Sequence, residues 1–112
     1  MIKETALTAF AALGQETRLD TFRLLVGHVP DGLPAGEIAD RLGVRQNTLS
    51  AHLAALSRAG LIDARRRGRT IHYAVDPDTV RGLLAFLMED CCQGNPSICA
   101  PFFDATPKLR KG

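Results

Sequence analysis

The spacing of apolar positions divides the chain into five helical stretches and one pair of strands. Residues 3–13 carry Leu7, Phe10, Ala11 and Leu13 as a weak helical stripe that Gly14 interrupts. From Gln15 the run ETRLDTFRLLV sets Leu19, Phe22, Leu25 and Val26 on one expected inner face and stops at Gly27. The segment HVPDGLPAG is turn chemistry. Its Pro34 fits the start of a third helix, where a missing N–H costs nothing. That helix turns Ile38 and Leu42 inward and stops at Gly43. A fourth, over about 45–59, has Leu49, Leu53 and Leu56 as its buried stripe and ends at Gly60.

The period then changes from helical to alternating. LIDARR and Thr70-Ile71-His72-Tyr73-Ala74-Val75 flank Arg67-Gly68-Arg69, the pattern of a tight hairpin. Asp76-Pro77-Asp78 opens a last helix with Val80, Leu83, Leu84, Leu87 and Met88 on its apolar face and Phe86 beside it. Gly94, Asn95 and Pro96 end it. The expected fold class is mainly α with a β-hairpin wing, a winged helix-turn-helix of about five helices. Residues 1–92 are expected to form this domain and residues 93–112 a C-terminal tail.

Charge sharpens this picture. The formal net charge is only +2, but residues 43–75 hold Arg45, Arg58, Arg65, Arg66, Arg67 and Arg69 against a single acid, Asp63. A basic module on an acidic remainder is the footprint of local polyanion binding. Four arginines within five positions at a hairpin tip repel one another unless a phosphate track or minor groove lies nearby. The turn Gly43-Val44-Arg45 is about the length that crosses two helices steeply, so the fourth helix presents its start to base edges. Gln46, Asn47, Thr48 and Ser50 suit bases or phosphates, and His52 is within reach of either. On the wing, Arg65, Arg67 and Arg69 are the candidate DNA contacts, and Tyr73 fits core packing better than contact. Arg45 stands where a helix favours a side-chain acceptor, so another group must cap the helix or its first turn is looser.

Ser50-Ala51-His52-Leu53, Leu56-Ser57-Arg58-Ala59-Gly60-Leu61, and Gly68-Arg69 followed by Tyr73 carry a family likeness. Over about residues 5–92 the chain resembles the ArsR/SmtB family of bacterial metal-responsive repressors. The resemblance implies a homodimer through the first and last helices that binds a palindromic double-stranded DNA operator and represses its own operon.

The remaining chemistry lies in Cys91, Cys92 and Cys99. The third helix, AGEIADRLG, has no cysteine pair, and the last has no histidine to serve a zinc site. Three soft thiolates select soft ions. Zinc prefers four ligands, whereas As(III) or Sb(III) is content with three, and the spacing resembles the C-terminal three-cysteine site of some arsenic-responsive members. The expected inducer is therefore As(III) or Sb(III). The alternatives are a redox or persulfide switch on the same thiols, or another soft metal such as cadmium or lead. The Cys-x5-Arg loop of phosphatase-like arsenate reductases is missing, so no enzyme is expected. No apolar run reaches the ~18 residues of a membrane span, and a cytoplasmic location is expected.

Overall fold

The computed structural model describes residues 1–92, with side chains through Met88. The elements run α1 (Lys3–Leu13), α2 (Glu16–Val26), β1 (Leu33–Pro34), α3 (Ala35–Leu42), α4 (Gln46–Arg58), β2 (Ile62–Arg67), β3 (Thr70–Val75) and α5 (Pro77–Cys92). The five helices and the hairpin stand where the hydrophobic pattern puts them. A third strand does not follow from that pattern. β1 is two residues long and pairs antiparallel with β3, giving the sheet order β1-β3-β2. Pro34 serves that strand and also stands at the N-cap of α3, so the helix proper begins at Ala35.

The core is built around α4. Leu49, Leu53 and Leu56 are buried and join Leu25, Ile38, Leu61, Ile62, Val75 and Leu83 in one cluster. Burying a leucine side chain is worth about 1.5–3 kcal/mol, so these three leucines fix which side of α4 faces inward. α1 and α2 differ from expectation. The buried positions of α1 are Ala6 and Ala9, while Leu7 is 57% exposed. In α2, Leu25 and Thr21 are buried, whereas Leu19 and Val26 lie largely in solvent. Small residues let these helices approach closely, and Thr21 enters the core at little cost because its hydroxyl donates to the Thr17 carbonyl at 2.7 Å.

Two joints hold the frame. Gln15 caps α2 by accepting from the Arg18 N–H, and the Arg18 side chain donates from Nε to the Ala12 carbonyl at 2.7 Å, meeting one of the orphan acceptors of α1. The second joint locks the 28–32 loop against the wing. Gly32 has φ +73, and a Cβ there would lie 2.1 Å from the Tyr73 carbonyl oxygen. Only glycine meets both demands. Gly32→Ala is therefore expected to destabilise the fold by more than about 1–2 kcal/mol, the left-handed penalty plus the clash. Urea unfolding that matches the wild type would show that this joint carries no stability.

Candidate nucleic-acid interface

α3 ends at Gly43, and the Val44 N–H donates back to the Ala39 carbonyl, closing the turn that sets α4 across it. With the leucine stripe inward, Gln46, Asn47, Thr48, Ser50, Ala51 and Ala54 stand exposed on α4. Four of the five expected contact residues on this helix thus share the outer face. The fifth, His52, is half-buried, and its Nδ1 is enclosed without a hydrogen-bond partner among the described residues. It sits behind the reading face rather than on it.

The start of α4 solves its capping problem internally. Arg45 makes no cap bond. Instead the Thr48 N–H donates to Asn47 Oδ1 at 2.9 Å, and Ser50 Oγ donates to the Gln46 carbonyl at 3.1 Å. Asn47 therefore uses its acceptor on its own helix. The side chains of Gln46 and Thr48 make no hydrogen bond among the described residues and remain available.

Gln46 and Ser50 border an open groove of about 430 Å³, lined also by Gly36 at the start of α3 and by Arg69, Ile71 and Tyr73 of the hairpin. The groove thus runs between the outer face of α4 and the wing. Gly68, with φ +63, supplies the first central residue of the Arg67–Thr70 turn, as a type II′ hairpin requires.

The hairpin register sorts the arginines. Ile62 opposes Val75, Ala64 opposes Tyr73, and Arg66 opposes Ile71; Asp63 opposes Ala74, Arg65 opposes His72, and Arg67 opposes Thr70. Directly opposed residues share a face, and faces alternate along a strand. Arg66 thus lies on the face of Ile71 and Tyr73, which line the groove together with Thr70 and Arg69 near the tip. Arg65 and Arg67 lie on the other face, which the 28–32 loop covers closely enough to leave Ala74 only 1% exposed. There Arg65 donates to Asp63 at 3.0 Å and to the Pro30 carbonyl at 3.2 Å, and Arg67 donates to Asp31 at 2.8 Å. Arg66 makes a single bond, from Nε to the Gly68 carbonyl, and Arg69 makes none among the described residues.

Of the three wing arginines expected to contact DNA, two are therefore held by acids and one is free. Arg66 was not among the expected contacts, and only the register that pairs it with Ile71 places it on the Tyr73 face. Arg45 was expected only as a poor cap, yet this exposed side chain is unbonded at the tip of α4.

The expected inducer ligands sit apart from this surface. Cys91 and Cys92 are the last two residues of α5. Their side chains, and Cys99 altogether, lie outside the described residues. Among the described residues no three His, Cys, Asp or Glu side chains gather as a metal site, and no described helix is long and apolar enough to cross a membrane.

A steep two-helix turn with a basic hairpin beside its second helix defines a winged helix-turn-helix protein. Residues 13–65 match the model of a helix-turn-helix domain family. The transcriptional activator HlyU of Vibrio cholerae is 32% identical over 90 residues, covering 80% of this chain and 81% of that one. A structure of the same protein in reduced form aligns with a TM-score of 0.61 at 31% identity, covering 80% of this chain and 92% of that one. An ArsR-like transcriptional regulator from Rhodococcus sp. RHA1 aligns with a TM-score of 0.72 at 26% identity, covering 87% and 89%. A homodimeric winged helix-turn-helix DNA-binding domain from Mycobacterium bovis aligns with a TM-score of 0.63 at 27% identity, covering 80% and 81%. The chain belongs to the ArsR/HlyU family of winged helix-turn-helix transcriptional regulators.

The bonding pattern at the start of α4 separates two neighbours by stability alone. Asn47→Ala is expected to destabilise the protein by about 0.5–1 kcal/mol through its lost bond to the Thr48 N–H, while Gln46→Ala leaves stability unchanged. Equal unfolding midpoints for the two variants would show that the Asn47 bond does not support the helix.

Proposed function

We propose that the chain is a dimeric repressor that holds a palindromic double-stranded operator through α4 and the wing. It lets go when As(III) or Sb(III) is bound by Cys91, Cys92 and Cys99. The observation that carries the DNA reading is the unbonded Gln46 at the start of α4 facing the same groove as the unbonded Arg69. Gln46, Asn47, Thr48 and Ser50 read base edges, with His52 behind them. Gln46 is free to pair bidentately with adenine, whereas Asn47 must first release Thr48.

A dimer through the first and last helices is supported by apolar surface that one chain leaves in water. Leu7 of α1 is 57% exposed, and Leu84 and Leu87 of α5 are each 40% exposed. The two helices are neighbours at one end, since a Cβ on Gly82 would lie 3.0 Å from the Met1 methyl carbon. The M. bovis relative is a homodimer. Two recognition helices then meet half-sites about one helical turn apart.

The cysteines stand at the end of the helix that carries Leu84 and Leu87. Drawing Cys99 of the 93–112 tail to them around one ion acts on the dimer-forming helix, and couplings of this kind are about 1–3 kcal/mol. The donor set fits the ion, three soft thiols for an acceptor satisfied by three. A second reading has the same cysteines as a redox or persulfide switch. A relative 31% identical, HlyU of Vibrio cholerae, has been solved in a reduced form, which keeps a thiol redox switch in view.

Two outcomes are expected. Leu84→Glu and Leu87→Glu should each convert the protein to a monomer in sedimentation and weaken operator binding; an unchanged mass would remove α5 from the interface. Arsenite should release DNA with little change around neutral pH. Arsenite arrives as neutral As(OH)3, so three thiols replace three hydroxyls with release of three waters and almost no net protons. Cadmium must displace protons from thiols that ordinarily titrate at about 8.5, so its potency should climb with pH. Cys91→Ser, Cys92→Ser and Cys99→Ser should each keep operator affinity and lose the arsenite response. Release by a mild oxidant alone, reversed by reductant and indifferent to arsenite, would replace the metalloid reading with the redox one.

A further inference from the structure

We infer that the wing engages DNA from one side only. Arg69 in the groove and Arg66 on the strand face of Ile71 and Tyr73 meet the backbone strand there, while Asp31, Asp63 and the Pro30 carbonyl hold Arg65 and Arg67 on the opposite face, with Asp31 limiting the wing's affinity. The inference rests on the DNA reading above and names the residues of that surface. A strand of backbone separates the major groove, where α4 lies, from the neighbouring minor groove at the wing. The groove between α4 and the hairpin is where that strand must pass, and Arg69 lines it. Arg66 shares the strand face of Ile71 and Tyr73 and keeps both terminal amines unbonded among the described residues.

Arg65 and Arg67 start from the other face and already have partners, but Arg67 opposes Thr70, which lines the groove, so it reaches that strand once released. The Arg67–Asp31 pair joins residues far apart in sequence at 2.8 Å. Its anchor is firm, because Asp31 precedes Gly32, which packs against the Tyr73 backbone, and Leu33, which pairs with Tyr73. The pair itself is exposed, 47% on Arg67 and 68% on Asp31. An exposed pair of this kind is weak. It orients Arg67 without contributing much stability, so a phosphate competes with Asp31 on nearly equal terms. Asp31 is an acid carried next to a cationic surface, and its effect is to lower that surface's charge.

The test is binding to a mixed-sequence DNA duplex, followed by anisotropy across a salt series. Arg66→Ala and Arg69→Ala should each flatten the slope of log affinity against log salt by roughly 0.9, one phosphate contact apiece. Arg65→Ala and Arg67→Ala should flatten it by less than half as much. Asp31→Asn should steepen it by up to roughly 0.9, as the freed Arg67 gains a phosphate. Equal losses for Arg67→Ala and Arg69→Ala, or an Asp31→Asn slope no steeper than wild type, would overturn the inference while leaving the DNA reading intact. Wild-type binding without salt dependence would overturn the DNA reading and this inference with it.

Discussion

Everything on the DNA-facing side depends on the seating of α4. Leu49, Leu53 and Leu56 bury themselves against Leu25, Ile38 and Leu61, and no other rotation of the helix keeps all three out of water. Truncating any of them costs about 2–5 kcal/mol, more than the polar outer face can recover by turning. The hydrophobic stripe therefore aims Gln46, Asn47, Thr48 and Ser50 outward with the precision of core packing. The same cluster contains Ile62 and Val75, the paired residues at the base of the hairpin. The wing and the reading helix are thus two projections of one core.

What was legible in the chain follows from how strongly each segment constrains itself. α4 and the hairpin have a clear period, and both lie where that period puts them. α1 and α2 were legible as helices but not in their facing. Strong hydrophobes are normally assigned inward, yet Leu7, Leu19 and Val26 face out while Ala6, Ala9 and Thr21 are buried. Two forces defeat that assignment. Close helix approach favours alanine, and a hydroxyl bonded to its own helix, as in Thr21, loses its polar penalty. β1 was not legible because two residues have no period, and Pro34 reads as a breaker although an edge strand tolerates it.

The DNA-facing residues show the same division. The polar start of α4 was readable because helical spacing separates it from the leucines. His52 lies at the border of the stripe and is half-buried, a degree of exposure that spacing alone does not decide. The wing arginines were chosen for charge and closeness to the tip, and charge has no face. Faces follow only once the hairpin register is known: Arg66 opposes Ile71 and shares its face with Tyr73, whereas Arg65 and Arg67 oppose His72 and Thr70. The acids that hold the latter pair were hidden for a different reason. Asp31 reaches Arg67 across a long stretch of chain, and only the folded 28–32 loop brings them together.

That loop gives the wing a property that charge counting misses. A free hairpin with four arginines has a strong, unspecific attraction for any polyanion. Strapped along one face by Gly32, Leu33 and Asp31, this hairpin would, on the inference above, offer its positive charge mainly toward the groove beside α4. Attraction and base reading are then brought to the same stretch of duplex. The arginines that would pull the wing elsewhere are occupied by weak pairs, and weak pairs suffice because they need only match a phosphate contact that is itself screened by salt. Directing the charge costs little stability, whereas removing it would cost the long-range attraction that brings the protein to DNA.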